Sequence, residues 1–345
     1  VNEEEILRKL DKLEQLSETD ALDLLVDLLE QGTPFAREIA FEKLKKLRVS
    51  RASRKIAQLL RADDAYLRNA ATLLLADLWD LSRDVLRELV QDKDKDVRKL
   101  ALDALHYVAD DPLVIDIIAE ALRDEDINNV IAAVEYIGDL GGEKYKGQIL
   151  DLFLQSKDEF LTCACLNTLA NIGDEECARK IVNSFQNIEE IDDTVFISLL
   201  RLMKSFPQII DINKMIKISL NKWKIALKEV LDLLSVYIAE DLIVDEQQKA
   251  TVGEFLKRLT LSEIPSANKY EAVMLLSKLD PVFTRKELVN YLYSDDPMIQ
   301  IAAVELIGQM NLKEFTEDIE KIASESEDED LKLAAIYTLN QLRGE

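Results

Sequence analysis

The chain is poor in the residues that carry most protein chemistry. It has one histidine, His106, and three cysteines, Cys163, Cys165 and Cys177, in 345 residues. A lone histidine without a cysteine set does not make a zinc site. A serine–histidine hydrolase would have to use His106, and no Gly-x-Ser-x-Gly elbow is present. Cys163 and Cys165 stand two apart, on different sides of a helix, and no Cys-x-x-Cys occurs. The thiols therefore read as core or neutral groups of a reducing, cytoplasmic setting. Nine glycines and six prolines are too few for a turn-rich β protein, and 6% aromatic residues suit Leu/Ile/Ala helix packing. Neither Gly-x-x-x-x-Gly-Lys nor Gly-x-Gly-x-x-Gly appears, so no phosphate loop is expected. No apolar run reaches the roughly 18 residues of a membrane span. Basic residues are the minority: 43 Lys and Arg against 67 Asp and Glu give a net charge of −24. Nucleic-acid affinity rests largely on Lys and Arg displacing counterions, so nucleic acid is excluded as a partner and a basic protein surface is favoured. The acidic clusters at Asp92–Asp96 and Asp124–Asp126 lack the Gly and closing Glu of a calcium loop and read as capping acids. Val1 in place of Met points to a processed, trimmed or partial chain, which leaves open a signal removed before it.

What is abundant is a period. Ala40, Ala71, Ala101, Ala133 and Cys165 fall 31, 30, 32 and 32 residues apart, and Ala303 and Ala335 are again 32 apart. Four residues on stands an apolar residue each time: Leu44, Leu75, Leu105, Ile137, Leu169, Ile307 and Leu339. Four before the anchor the residue is apolar or small, Asn129 excepted. Spacing of i, i+4 and i+8 marks one face of an amphipathic helix. Upstream of each lies a second apolar segment, at 21–29, 56–60, 85–90, 114–122, 149–154, 288–292 and 319–322. Short acidic links join the two, and their Asp and Ser residues suit N-capping. Gly138, Gly173 and Gly308 stand where left-handed C-caps are expected. Weaker anchors at Leu199, Val230 and Ala272 fill the long gap, with Met203, Leu234 and Leu276 four residues on; the 42-residue interval holds extra sequence near 238–248. The pattern predicts an all-α, right-handed α-solenoid of about ten antiparallel helix pairs. The whole chain, 1–345, reads as a single solenoid, regular over 1–175, degenerate over 176–280 with a hinge within 238–272, and regular again over 281–345.

The stretch Asp96-Val97-Arg98-Lys99-Leu100-Ala101-Leu102-Asp103-Ala104-Leu105, after Leu89-Val90-Gln91-Asp92, resembles the short HEAT-like repeat of phycobilin-lyase-type proteins. Ile299-Gln300-Ile301-Ala302-Ala303-Val304-Glu305-Leu306-Ile307-Gly308 is similar to the same unit. The resemblance covers seven of ten repeats. It implies that Arg37, Arg68 and Arg98 pair with an Asp of a neighbouring link, a ladder lost at Val130, Thr162 and Gln300 and turned to lysine at Lys332. The DNA-repair glycosylases with HEAT-like helices need a basic channel, and the HEAT-repeat hydroxylases need paired His-Glu motifs; both are absent.

The resemblance also implies that the second helices line a concave face. Two residues past the anchors run Glu42, Asp103, Glu135 and Asn167; one turn later come Asp77, Asp139 and Asn171. These seven are the candidate partner-binding residues, an acidic ridge for a basic or extended peptide. No catalytic, cofactor-binding or metal-ligating residue is expected. The leading function is a non-catalytic protein–protein interaction scaffold. The alternatives are a subunit or chaperone of a bilin-lyase-type attachment system and a regulatory HEAT domain of a larger signalling protein. Residues 212–228 break the acidic trend: Lys214, Lys217, Lys222, Lys224 and Lys228 surround Trp223, with no acid between Asp211 and Glu229. This segment reads as Lys-rich outer helix faces, a site for an acidic or lipid surface, or a mate for the acidic run at 324–330 of another molecule. His106 shares a column with Ala76, Gly138, Ala170 and Gly308 and reads as a packing or capping residue.

Overall fold

The computed structural model describes residues 13–49, 51–108, 111–185 and 188–344; residues 1–5, with Val1, lie outside them. The described residues contain twenty α-helices and no strand. They fall into two compact units, Val1–Cys177 and Ala178–Glu345. Unit 1 comprises α1 (Glu18–Gln31), α2 (Pro34–Leu44), α3 (Ala52–Gln58), α4 (Ala65–Asp77), α5 (Trp79–Leu89), α6 (Lys95–His106), α7 (Pro112–Glu120), α8 (Ile127–Asp139), α9 (Lys146–Gln155) and α10 (Glu159–Ile172). The helix α11 (Glu175–Ser184) spans the division. Unit 2 continues with α12 (Asp193–Ser205), α13 (Ile212–Lys222), α14 (Leu227–Ala239), α15 (Glu246–Thr260), α16 (Ser266–Leu279), α17 (Pro281–Leu292), α18 (Pro297–Gln309), α19 (Thr316–Glu325) and α20 (Glu329–Arg343).

The even-numbered helices form one row in each unit: α2, α4, α6, α8 and α10 lie side by side in unit 1, and α12, α14, α16, α18 and α20 in unit 2. All ten anchors, the weaker Leu199, Val230 and Ala272 included, have no exposed surface. Each sits where its helix meets neighbours, and a small side chain there lets helix axes approach to about 8–10 Å. Asn129, the polar exception in the buried stripe, is satisfied inside: its Nδ2 donates to the Lys95 carbonyl and to Asp124, each at 3.2 Å. The extra residues of the 42-residue interval extend α15 to 15 residues, against 10 in α9 and α19. That helix buries Val252, Phe255, Leu256 and Leu259.

Helix starts follow the period as well. Seven residues before an anchor, Thr33, Asp64, Asp94, Asp126, Asp158, Asp192, Asp296 and Asp328 each accept a first-turn N–H. The expected glycine caps are corrected. Gly138 and Gly308 lie inside the last turns of α8 and α18, and Gly173 caps α10 in an extended conformation, φ −75°. Besides Gly344, the cap of α20, the left-handed residues among those described are Gly141, Asp241 and Asn311. Each precedes a residue whose N–H reaches five back: Gly142 to Ile137, Leu242 to Tyr237 and Leu312 to Ile307. That bond reuses carbonyls the helix end leaves free. Gly138 and Gly308 are small for another reason: a Cβ would stand 2.9 Å from Thr168 Oγ1 in the first case and 2.3 Å from Gln341 Oε1 in the second. Thr168 and Thr338 in turn donate across to the carbonyls of Val134 and Val304.

A ladder of ion pairs links residues about one repeat apart. In unit 1 it includes Arg37–Asp64, Arg54–Glu88, Arg61–Asp92, Arg87–Glu120 and Lys95–Asp126. Most have at least one exposed partner and are screened by solvent, so each contributes little. The Arg98–Asp124 pair differs: it is bidentate at 2.7 and 2.8 Å, with both side chains under 10% exposed. Arg68 departs from the ladder and donates to the carbonyls of Ala62 and Asp63 in its own link. In unit 2 the ladder returns at Lys269, three before the anchor Ala272, paired with Asp296 at 3.0 Å.

Candidate functional site

The seven candidate residues all fall on the second-helix row of unit 1, and the structure separates them into tied and untied groups. Lys45 of α2 joins two of them, lying 3.2 Å from Asp77 and 3.9 Å from Glu42. Asp103 is half-buried and accepts from Lys99 and from the Tyr136 hydroxyl of the next repeat. Lys99 also donates to that hydroxyl at 3.1 Å and lies 5.3 Å above the ring. Burial, and then the bond to Asp103, hold the Tyr136 hydroxyl well above the usual phenol range. Asp139 is 3.2 Å from His106 Nε2. The His106 ring stacks flat on Tyr136, 4.0 Å between centroids and 6° between planes.

Glu135 and Asn171 are exposed, and their side chains have no hydrogen bond among the described residues. Crowding by surrounding protein, and then the charge of Asp139, hold the Glu135 carboxyl above its ordinary range. Asn167 is half-buried, and its Oδ1 is covered yet has no partner among the described residues. Beside this network opens a cleft of about 240 Å³ lined by Asn69, Thr72, Asp103, His106, Tyr107 and Tyr136. Tyr107 is 61% exposed at its rim.

Sequence reading missed the Lys99–Asp103–Tyr136–His106 network. A signal was present: Asp103 and Tyr136 are 33 apart, as are His106 and Asp139, and residues one period apart on second helices are neighbours.

Residues 82–170, from within α5 to within α10, match the family model for HEAT repeats. This stretch is built of HEAT repeats. No curated protein matches the chain. The HEAT-repeat stretch holds four of the seven candidate residues, Asp103, Glu135, Asp139 and Asn167, together with the stacked His106 and Tyr136. HEAT repeats generally mediate contacts between proteins. The cleft offers amide, carboxylate and hydroxyl groups and an aromatic rim, a set that holds a ligand by hydrogen bonds and stacking. Among the described residues no group of three or more His, Cys, Asp or Glu side chains could hold a metal ion. No helix of the described residues is long and apolar enough to cross a membrane.

Proposed function

We propose that the chain is a non-catalytic, cytoplasmic interaction scaffold whose second-helix row in unit 1 receives an extended, basic segment of a partner protein. This reading takes the chain as one right-handed solenoid of ten helix pairs with that row on its concave side. The observation that carries it is the row itself: acids and amides recur at matched positions, and Glu135, Asn167 and Asn171 keep hydrogen-bonding capacity that the fold does not use. Packed helices stand about 8–10 Å apart, and an extended chain of the polyproline II type advances about 3.1 Å per residue and returns to the same face every third residue. Successive helices of the row therefore meet about every third residue of a partner. Basic side chains at that spacing would address Glu42, Glu135 and their neighbours, and the exposed Tyr107 would cover an apolar residue between them.

Isothermal titration with a synthetic peptide carrying lysine at every third position tests the reading. Charge reversal of Glu42 and Glu135 together to Lys is expected to abolish its binding. Both are exposed, so the fold is retained, whereas reversing Asp103 would break the Tyr136 network. A peptide with the same lysines at every second position serves as the control. Equal binding of the two peptides, or binding untouched by the reversals, refutes the proposed register.

A further inference from the structure

The second-helix row of unit 2 ends on an uncovered helix face. One position past the anchors stand Leu200, Leu231, Val273 and Val304, each 1% exposed or less. The same position in α20, Ile336, is 43% exposed, flanked by Leu333 at 62% and Tyr337 at 65%. Spacing of three and four residues puts the three on one face. Glu329 and Asp330 stand one turn before Leu333, with Glu325 and Glu327 just upstream. All four are exposed and form no ion pair among the described residues.

A second apolar cluster, with the opposite charge around it, lies on two consecutive links of the same unit. Seven residues before Val230 and Ala272, where most repeats place a capping Asp, stand Trp223 and Pro265. Neither α14 nor α16 has a side-chain cap. The links instead expose Ile225, at 45%, and Leu261, at 89%. Arg258, one turn before Leu261, lies 5.9 Å from the Trp223 ring, so the two links adjoin. Lys224 lies 5.9 Å over the same ring, and Lys214 is exposed on α13. Glu263 is the one acid of the second link.

We propose that these patches are the two halves of one contact between copies of the chain. The Leu333–Ile336–Tyr337 face of one copy seats on the Ile225 and Leu261 links of a second, and the acids ahead of α20 meet Lys224 and Arg258. The two halves differ, so each contact leaves one of either kind open, and the assembly extends with concentration unless it closes as a ring. The charge pairs are exposed and weaken with salt.

Sedimentation velocity on the full chain tests this with two variants, Lys224→Glu/Leu261→Glu and Leu333→Lys/Tyr337→Lys. All four side chains are exposed, and circular dichroism checks that the fold is kept. Wild type is expected to sediment as species that grow with concentration at low salt and shift toward monomer as salt rises. Each variant alone is expected to be monomeric. Mixed in equal amounts, they combine one to one, because each retains the half the other lacks. Wild type that stays monomeric at every concentration in low salt overturns the proposal. So does a variant that associates as wild type does, or a mixture that forms no heterodimer.

Discussion

Replacing Arg98 with Ala is expected to destabilise unit 1 by about 3–5 kcal/mol, the usual cost of stranding one member of a buried ion pair. The structure shows why the upper part of the salt-bridge range applies. Arg98 donates twice to Asp124, and also to the Asp92 carbonyl at 2.8 Å and Glu125 at 3.4 Å. Asp124 is 4% exposed and further accepts from the Asp126 N–H and from Asn129. Without Arg98 its charge would remain enclosed with only neutral donors. Arg37→Ala is the control: its pair with Asp64 is partly exposed, 23% and 41%, and solvent screens it, so its loss should cost markedly less. Urea unfolding can follow unit 1 by itself, because the chain has two tryptophans, Trp79 on α5 and Trp223 in unit 2. In a Trp223→Phe background the fluorescence reports Trp79. The double replacement Arg98→Met/Asp124→Leu should regain at least half the loss, since apolar residues need no partner. pH gives an independent check. Burial alone would raise the Asp124 carboxyl, but hydrogen bonds from Arg98 and the Asp126 N–H hold it below the usual carboxylate range. A lowered folded-state pKa contributes stability that is present above the unfolded value, about 3.9, and lost as pH falls through the folded one. The gap between wild type and Arg98→Ala should therefore hold at neutral pH and narrow as acid protonates the enclosed Asp124, first in the variant and then in wild type. An Arg98→Ala shift no larger than that of Arg37→Ala would refute the reasoning.

Three further outcomes follow from particular contacts. Gly138→Ala should destabilise by about 1–3 kcal/mol through overpacking against Thr168, and Thr168→Ala in the same chain should relieve it, whereas Gly147→Ala, with nothing within 4 Å, should stabilise by about 0.5–1 kcal/mol; thermal melts distinguish the two. Burial pushes the Cys165 thiol up to about 12, so in native protein a thiol reagent should modify the partly exposed Cys163 and leave Cys165 untouched until unfolding, as read by mass spectrometry. For the hinge proposed within 238–272, hydrogen exchange should be fast over 240–245, between α14 and α15, and slow over 252–259, where α15 is buried; uniform protection equal to that of 71–105 would remove the hinge.

The architecture was legible because one physical requirement, a small or apolar side chain at every helix crossing, repeats at fixed intervals. Even Leu199 and Val230, where the anchor is not small, obeyed the interval and are fully buried. The capping Asp residues were legible for the same reason. The left-handed caps were not, since glycine at 138 and 308 answers to side chains of the next helix rather than to backbone conformation. The ladder's return at Lys269 was missed because it falls in the degenerate middle, where the anchor Ala272 itself is the weaker signal; a Lys at that offset meets the same carboxylate. The candidate ridge was legible as a set of positions but not as a set of free charges. Whether Asp103 faces solvent or Tyr136 depends on a residue 33 away, and that relation becomes visible only after the period is used as a distance.

The ladder also bears on how such a chain changes length. Most partners sit about one repeat along, and several repeats place an acid at the same offset. Excising residues 64–93 would join Asp63 to Asp94, bringing Arg37 opposite Asp94 in place of Asp64, while Lys45, Arg54 and Arg61 would forfeit Asp77, Glu88 and Asp92. Loss of a whole module thus returns an acid to the helix-start rung and leaves pairs outside the cut intact, whereas a one-residue slip within a helix would misalign every rung that spans it. Such a chain tolerates editing in blocks and resists it letter by letter.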